Sequence, residues 1–212
     1  ANKGIGLEIL KSFSANGSKK IFACIRELNS ENIKKFESIQ KEFNNQIIPI
    51  KIDFSKTELI KEAYNNILSH ESPIDILVNN AGAISTSLTQ MTTMKNYQDI
   101  FQINVFGQIQ FTQSITKKMS QNGGSIVFIS STSATDAVIG RSAYSSSKNA
   151  INTIALTLSR ELGKKNIRVN VIAPGLTNTD MMKNNTKPEI IDTVKSQSSL
   201  NRVADPLEIS KS

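Results

Sequence analysis

Tyr144 and Lys148 stand four residues apart in a stretch that reads as helix, so their side chains are neighbours on one face. Ser131 lies thirteen positions before the tyrosine, at the end of an apolar run that reads as a strand. A free phenol has a pKa near 10, about three units above neutrality, so bringing it into working range takes about 4 kcal/mol of phenolate stabilisation. An adjacent ammonium supplies charge of the right sign, and a bound oxidised nicotinamide adds a second positive charge. With that support Tyr144 could give a proton to a carbonyl oxygen or take one from an alcohol, while Ser131 holds the same oxygen. A lone Tyr-x-x-x-Lys is equally what an exposed helical pair looks like.

Gly4 and Gly6 open another helical stretch. There the backbone can approach a pyrophosphate at the positive end of the helix, although such a turn also serves tight packing. The earlier glycine of the usual dinucleotide pattern has no counterpart in the chain. NAD-selective enzymes place an Asp or Glu roughly 20 residues further on, to hold the ribose hydroxyls. At that point the chain reads Cys24-Ile25-Arg26. Arg26, with Lys3 in the glycine turn, suits a 2′-phosphate, because a guanidinium presents a planar fork to phosphate oxygens. NADP(H) is therefore expected over NAD(H). Glu27 next door weakens that expectation, and a solvated surface arginine is the plain alternative. Asp53 and Asn79-Asn80-Ala81-Gly82 follow predicted strands, where open α/β sheets bind ligands; the second could also be turn chemistry alone.

These groups need a scaffold, and the hydropathy pattern supplies one. Short apolar runs at 20–25, 47–53, 74–79, 125–130 and 168–173 read as strands buried on both faces. Helix-length segments lie at 6–15, 30–42, 57–69, 95–120 and 141–163. Alternation of this kind predicts βαβ units and a parallel sheet, an α/β fold. Helix 141–163 carries the stripe Ile151, Ile154, Ala155, Leu158, Leu162. Helix 95–120 is apolar over a wider arc, with Tyr97, Phe101, Val105 and Ile109 at four-residue steps and Phe106 and Phe111 beside them, which suits core packing or a second surface as well. Ala1 to Gly6 read as the second half of a glycine turn with no strand feeding it, and 205–209 as a helix start cut short. The expectation is one domain over 1–212, an internal piece of a longer chain.

At 212 residues the chain suits one domain that buries about 70% of its unfolded surface without disulfides or structural metal. Its 38% hydrophobic and 20% charged content is that of an ordinary soluble globular protein. One cysteine, Cys24, and one histidine, His70, exclude an internal disulfide and a Cys/His zinc cluster, hence zinc-dependent dehydrogenase chemistry; no metal is expected. No apolar run approaches the ~18 residues of a spanning helix, and no leader pattern opens the chain, so a cytoplasmic protein without membrane partners is expected. The net charge of +7 comes from 25 basic and 18 acidic residues. The lysines are scattered among glutamates rather than gathered with aromatics, which argues against nucleic acid; such a surface could still steer phosphorylated cofactors or acidic carriers.

Asn2-Lys3-Gly4-Ile5-Gly6, Asn79-Asn80-Ala81-Gly82, Asn104 within Ile103-Asn104-Val105, Ser131, Tyr144-Ser145-Ser146-Ser147-Lys148 and Pro174-Gly175 occur in one order and spacing. In that order they resemble the short-chain dehydrogenase/reductase family over essentially the whole chain. The resemblance implies one doubly wound, three-layer Rossmann domain with strand order 3-2-1-4-5-6-7, here without strand one and the last strand. It implies Tyr144 as acid/base, and Lys148 as the group that lowers its pKa and binds the nicotinamide ribose. Ser131 would orient the substrate carbonyl, and Asn104 would interrupt its helix and hold a water in a relay to Lys148. For the cofactor it implies Lys3, Gly4, Ile5 and Gly6 at the phosphates, Asp53 and Phe54 near the adenine, and Asn80, Ala81 and Gly82 along its length. Pro174, Gly175, Thr177 and Thr179 would meet the nicotinamide; Thr177 stands where the family usually has Ile or Val.

Within that family the stretches Ala173-Pro174-Gly175-Leu176-Thr177-Asn178-Thr179-Asp180-Met181 and Leu200-Asn201-Arg202-Val203-Ala204-Asp205-Pro206 look most like 3-oxoacyl-(acyl-carrier-protein) reductases. The implied reaction is NADPH-dependent reduction of a small-molecule or carrier-bound carbonyl. Sugar, steroid or polyol substrates and a non-catalytic nucleotide-binding module are the alternatives. Residues 182–197 align with the substrate-covering loop. A homodimer or homotetramer through helices 95–120 and 141–163 is also implied. Ser145-x-x-Lys148 separately matches a serine–lysine hydrolase motif, but the Ser-Asp-Asn and Lys-Thr-Gly that this chemistry requires are absent.

Overall fold

The apolar runs form parallel strands and the periodic segments between them form helices. The computed structural model describes residues 1–119 and 122–212. The order is α1 (Gly4–Ala15), β1 (Lys20–Ile25), α2 (Ser30–Phe43), β2 (Gln46–Lys51), α3 (Thr57–Leu68) and β3 (Ile76–Asn79). Then come α4 (Met94–Phe101), a π turn (Gln102–Phe106), α5 (Gly107–Met119), β4 (Gly124–Ile129), α6 (Ser142–Leu162) and β5 (Ile167–Ile172). Three short helices finish the chain: α7 (Asp180–Asn185), α8 (Pro188–Gln197) and α9 (Pro206–Ser210). Among the described residues no helix is long and apolar enough to cross a membrane.

The strands form a Rossmann-like α/β arrangement in two sheets. One pairs β1 with β2, from Lys20 opposite Gln46 to Ile25 opposite Lys51. The other has the order β3-β4-β5, all parallel. These pairings are the ones left in the order 3-2-1-4-5-6-7 when strand one and the last strand are taken out.

Contacts sort the chain into two compact units. The first comprises Ala1–Asp53, Asn65–Ser69 and Leu176–Ser212. Its core gathers Leu10 of α1, Ala23 and Ile25 of β1, Phe36 and Ile39 of α2 and Ile47 of β2. Helix α2 exists because this stripe must leave water: burying Phe36 alone is worth about 1.5–3 kcal/mol. The helix is delimited by Asn29, whose side chain accepts the Asn32 N–H, and by Asn44 in the left-handed conformation that ends many helices. Helix α9 starts with a capping box between Asp205 and Glu208, and Arg202 clasps Glu208 with both guanidinium nitrogens at 2.6 Å.

The second unit comprises Phe54–Tyr64 and His70–Gly175. Ile126 and Phe128 of β4, Ile115 and Met119 of α5, Ile151 and Ala155 of α6 and Ile167 of β5 form its interior. The expected helix 95–120 is three consecutive pieces, with the π turn around Asn104 where the resemblance placed an interruption. Its expected last residue, Ser120, lies outside the described residues. Gly107 ends the π turn because a Cβ there would stand 2.7 Å from the Phe54 carbonyl oxygen and 3.0 Å from that of Gln102. The stretch 182–197, expected as a loop, is largely helical: Thr179 caps α7, and Pro188 opens α8 with its preset φ.

Candidate active site

The end of β3 is held by three buried amides. The Asn79 side chain donates to the Thr112 hydroxyl at 3.0 Å, and Gln108 Nε2 donates to the Ala81 carbonyl at 2.7 Å. Asn104, fully buried, brackets Ala83: Oδ1 accepts the Ala83 N–H at 2.7 Å, and Nδ2 donates to the Ala83 carbonyl at 2.9 Å. The same Nδ2 donates to Ser147 Oγ at 2.9 Å, and Ser147 Oγ donates to the Tyr144 carbonyl at 2.6 Å. The π turn thus ties Asn80–Ala83 to helix α6 through a chain of satisfied hydrogen bonds, in a place where each orphaned group would cost about 1–3 kcal/mol.

The other wall comes from the carboxyl ends of β4 and β5. Ser130 N–H donates to the Ile172 carbonyl at 2.7 Å, and the Thr132 N–H to the Pro174 carbonyl at 3.0 Å, so Pro174 and Gly175 flank Ser131. Ser131 caps the turn Thr132–Ala134 by accepting the Ser133 N–H at 3.2 Å. The Ser131 side chain also hydrogen-bonds the Tyr144 phenol. Lys148 Nζ donates to the Ile129 carbonyl at 2.8 Å and lies 5.9 Å from the Tyr144 ring centroid. A Cβ at Gly82 would meet Lys148 Nζ at 3.5 Å and Asn104 Oδ1 at 3.7 Å, so this glycine leaves the ammonium with no side chain over it on that side. Asn80, Ala81, Gly82, Asn104, Ser131, Tyr144, Lys148, Pro174 and Gly175 are therefore gathered in one unit. Phe54 belongs to it too, with its ring edge-on to Phe111 at 6.0 Å.

Burial pushes the Tyr144 phenol above 10; the Ser131 hydrogen bond and then the Arg141 guanidinium pull it back. Lys148 gives one of its three N–H donors to the Ile129 carbonyl, and burial pulls Lys148 itself down to about 8. The serine–lysine reading fails on the same geometry. Ser145 Oγ is buried without a hydrogen-bond partner among the described residues, while the ammonium goes to Ile129.

The remaining expected residues sit in the other unit. Lys3 precedes α1 without a side-chain cap, no acidic residue occupies the first turn, and Gly4 has a φ of 53°, in the region that favours glycine. Arg26 is exposed immediately after β1. Its loop is fixed by Asn32, which donates to the Glu27 carbonyl at 3.0 Å and accepts from Asn2 at 3.0 Å. Thr179 packs its methyl against Gly4, and Thr177 is buried in a bridge to Ala204. Asp53 is half-buried, two residues beyond β2.

Sequence reasoning gave no role to Gln108, Ser147 or Arg141. A signal was available for the first two: Gln108 stands one helical turn after Asn104, and Ser147 one turn after Tyr144, both polar at positions that face inward.

The family profile described as short chain dehydrogenase matches residues 1–190. The chain is 29% identical over 210 residues to 7alpha-hydroxysteroid dehydrogenase of Escherichia coli (strain K12), covering 99% of this chain and 81% of that protein. A solved 7alpha-hydroxysteroid dehydrogenase complexed with NADH and 7-oxo glycochenodeoxycholic acid is 29% identical, with a TM-score of 0.87 over 98% of this chain and 80% of that one. This chain is 30% identical over 215 residues to the 3-oxoacyl-(acyl-carrier-protein) reductase FabG of Chlamydia trachomatis, covering 99% of this chain and 84% of that protein. The solved L-sorbose reductase from Gluconobacter frateurii, complexed with NADPH and L-sorbose, has a TM-score of 0.89 at 25% identity, over 99% of this chain and 83% of that one. A match along most of the sequence, with the same fold in solved relatives, settles the matter: this chain belongs to the short-chain dehydrogenase family, oxidoreductases acting on carbonyl or hydroxyl groups.

Proposed function

We propose that the protein reduces a carbonyl, in a 3-oxoacyl thioester or a related ketone, to a secondary alcohol with NADPH. The observation that carries this reading is the Tyr144 phenol hydrogen-bonded to Ser131, with the buried Lys148 ammonium one helical turn away. Ser131 orients the carbonyl oxygen, and Tyr144 transfers its proton to that oxygen as negative charge develops there. Asn104 acts as a clamp. Both its amide hydrogens are donated and one acceptor direction is taken, so its side chain has at most one lone pair left for the water of a relay to Lys148.

A nicotinamide dinucleotide, when bound, supplies the hydride. Each unit has features that suit such a group: in the first, the first turn of α1 offers backbone N–H donors with no acidic residue in it; in the second, Gly82 keeps the ammonium approachable. Lys3 and Arg26, both exposed, favour a 2′-phosphate and hence NADP(H); Asp53, Phe54, Thr177 and Thr179 are the further contacts proposed. Solved relatives carry NADPH in one case and NADH in another, so the preference rests on Arg26. The acyl-thioester assignment is supported by the relatives named as 3-oxoacyl reductases; a steroid or sugar ketone is the second reading, favoured by the hydroxysteroid and sorbose enzymes. Exposed Phe106 on the π turn and Leu156 on α6 support self-association through these helices, and we take residues 1–212 as one dinucleotide-binding domain.

Tyr144→Phe tests the reading. Cofactor affinity is expected to persist while turnover falls by about 10²–10⁴-fold. Near-normal turnover overturns it. A panel of acyl-thioester, steroid and sugar ketones assayed with NADPH separates the substrate classes.

A further inference from the structure

Tyr144 is the third residue of α6, so its phenol hangs from the first turn of that helix. A first turn is prone to fray, because its N–H groups find no acceptor within the helix. Helices α2, α4, α7 and α9 each begin with a side-chain cap, whereas Arg141 at the head of α6 provides none. The second turn of α6 is fastened from two sides, Ser147 to Asn104 and Lys148 to the Ile129 carbonyl. The first turn requires a fastening of its own.

Helix α4 supplies it. The Tyr97 hydroxyl pairs with Oγ of Ser142, the first residue of α6, at 2.7 Å. The preceding residue, Asn96, accepts from Ser85 Oγ at 2.7 Å, and Ser85 lies two positions beyond the Ala83 that Asn104 brackets. Consecutive residues of α4 thus hold two walls of the candidate site, the α6 wall through Tyr97 and the segment after β3 through Asn96. Thr93 fixes the start of α4 in turn by accepting the Asn96 N–H at 3.2 Å. The Ser87 N–H donates to the Gly140 carbonyl at 2.9 Å, which joins the segment after Ser85 to the one that leads into α6.

Proton transfer sets a tight tolerance on such a frame. The phenol must lie within hydrogen-bond reach of the oxygen that Ser131 orients, and catalytic groups work within about 0.5 Å of the productive position. A small displacement of the first turn of α6 therefore slows the chemical step while leaving binding intact. Tyr97 and Ser142 are both half-buried, so water replaces their bond poorly. We propose that Tyr97 is a positioning residue for the acid/base step: through Ser142 its hydroxyl holds the first turn of α6, and with it the Tyr144 phenol, at the place proton transfer requires. This rests on the reading of Tyr144 as the acid/base.

The test measures NADPH-dependent reduction of the acyl-thioester, steroid and sugar ketones named above, with kcat expressed per NADPH-binding site. Tyr97→Phe keeps the ring and removes only the hydroxyl; kcat is expected to fall about tenfold, with KM and NADPH affinity unchanged. Ser142→Ala is expected to show the same loss, and the double variant no more than either single one, because all three lack the same bond. Ser142→Thr, which keeps a hydroxyl on the same carbon, is expected to retain turnover. An unchanged kcat in Tyr97→Phe overturns the inference. Losses that multiply in the double variant overturn it as well, as does a Ser142→Thr protein as slow as Ser142→Ala. A loss confined to KM has the same consequence, since Tyr97 would then be a substrate contact. Failure of both single variants to bind NADPH also overturns it, because the bond would then serve the fold alone. Full turnover in Tyr144→Phe, or none with any ketone in the natural sequence, defeats the reading of Tyr144 itself, and the role of Tyr97 falls with it.

Discussion

Lys148 donates to the carbonyl of Ile129, the last residue of β4, at 2.8 Å. That bond draws a lysine into the interior, where burial lowers it from 10.5 to about 8. Between those values the unfolded chain holds a proton that the folded chain has released, so stability rises with pH across that window; below it the full cost of burying the ammonium is present. The unfolding free energy of the natural sequence, relative to Lys148→Met, should therefore increase by about 2–3 kcal/mol from pH 7 to pH 10. Urea titrations of both proteins at the two pH values measure this, and a pH-independent difference would contradict it.

Replacing Asn104 with Leu keeps the branched shape but orphans the N–H and C=O of Ala83 together with Ser147 Oγ. A loss of about 2–4 kcal/mol is expected from leaving these buried groups unpaired. Asn104→Asp should recover only part, since a carboxylate accepts the Ala83 N–H but cannot donate to its carbonyl. Chemical unfolding midpoints rank the three proteins.

Gly107→Ala puts a methyl 2.7 Å from a backbone oxygen of Phe54, an atom that cannot swing away. Destabilisation by about 1–3 kcal/mol is expected. Gly163→Ala has open space around its added methyl and serves as the control. Equal melting temperatures for the two variants would refute the steric argument.

Arg26→Ala should erode the preference for NADPH. Losing one charge-assisted hydrogen bond to phosphate is worth about 1.5–3 kcal/mol, so the ratio of NADPH to NADH affinity should fall about tenfold or more. A ratio that does not move removes Arg26 from the cofactor site.

Much of this architecture was readable because its signals are local. The strand 20–25 has the observed bounds, since an isolated apolar run between Lys19 and Arg26 allows few other assignments. The helix carrying Tyr144 and Lys148 differs by one residue at each end, because a continuous apolar stripe sets its face. Periodicity reads 95–120 as one uninterrupted helix, and only the motif around Asn104 signals a break. A π turn shifts the helical phase by a single residue, too little to disturb the hydrophobic pattern. The segment 182–197 aligns with the family's substrate-covering loop, and its polar composition carries no apolar stripe to announce the two helices started by Thr179 and Pro188.

Residue types and spacing determined by themselves which side chains have the right chemistry: a phenol, an ammonium and a hydroxyl on neighbouring elements, with glycines at a helix start. Tertiary structure decided where their hydrogen bonds and charges are spent. The lysine ammonium donates to a strand carbonyl, the asparagine amide brackets Ala83, and a buried serine links that amide to the backbone of Tyr144. Such assignments depend on distances of a few ångströms and on loss of water, which act between segments far apart in the chain and leave no trace in local pattern.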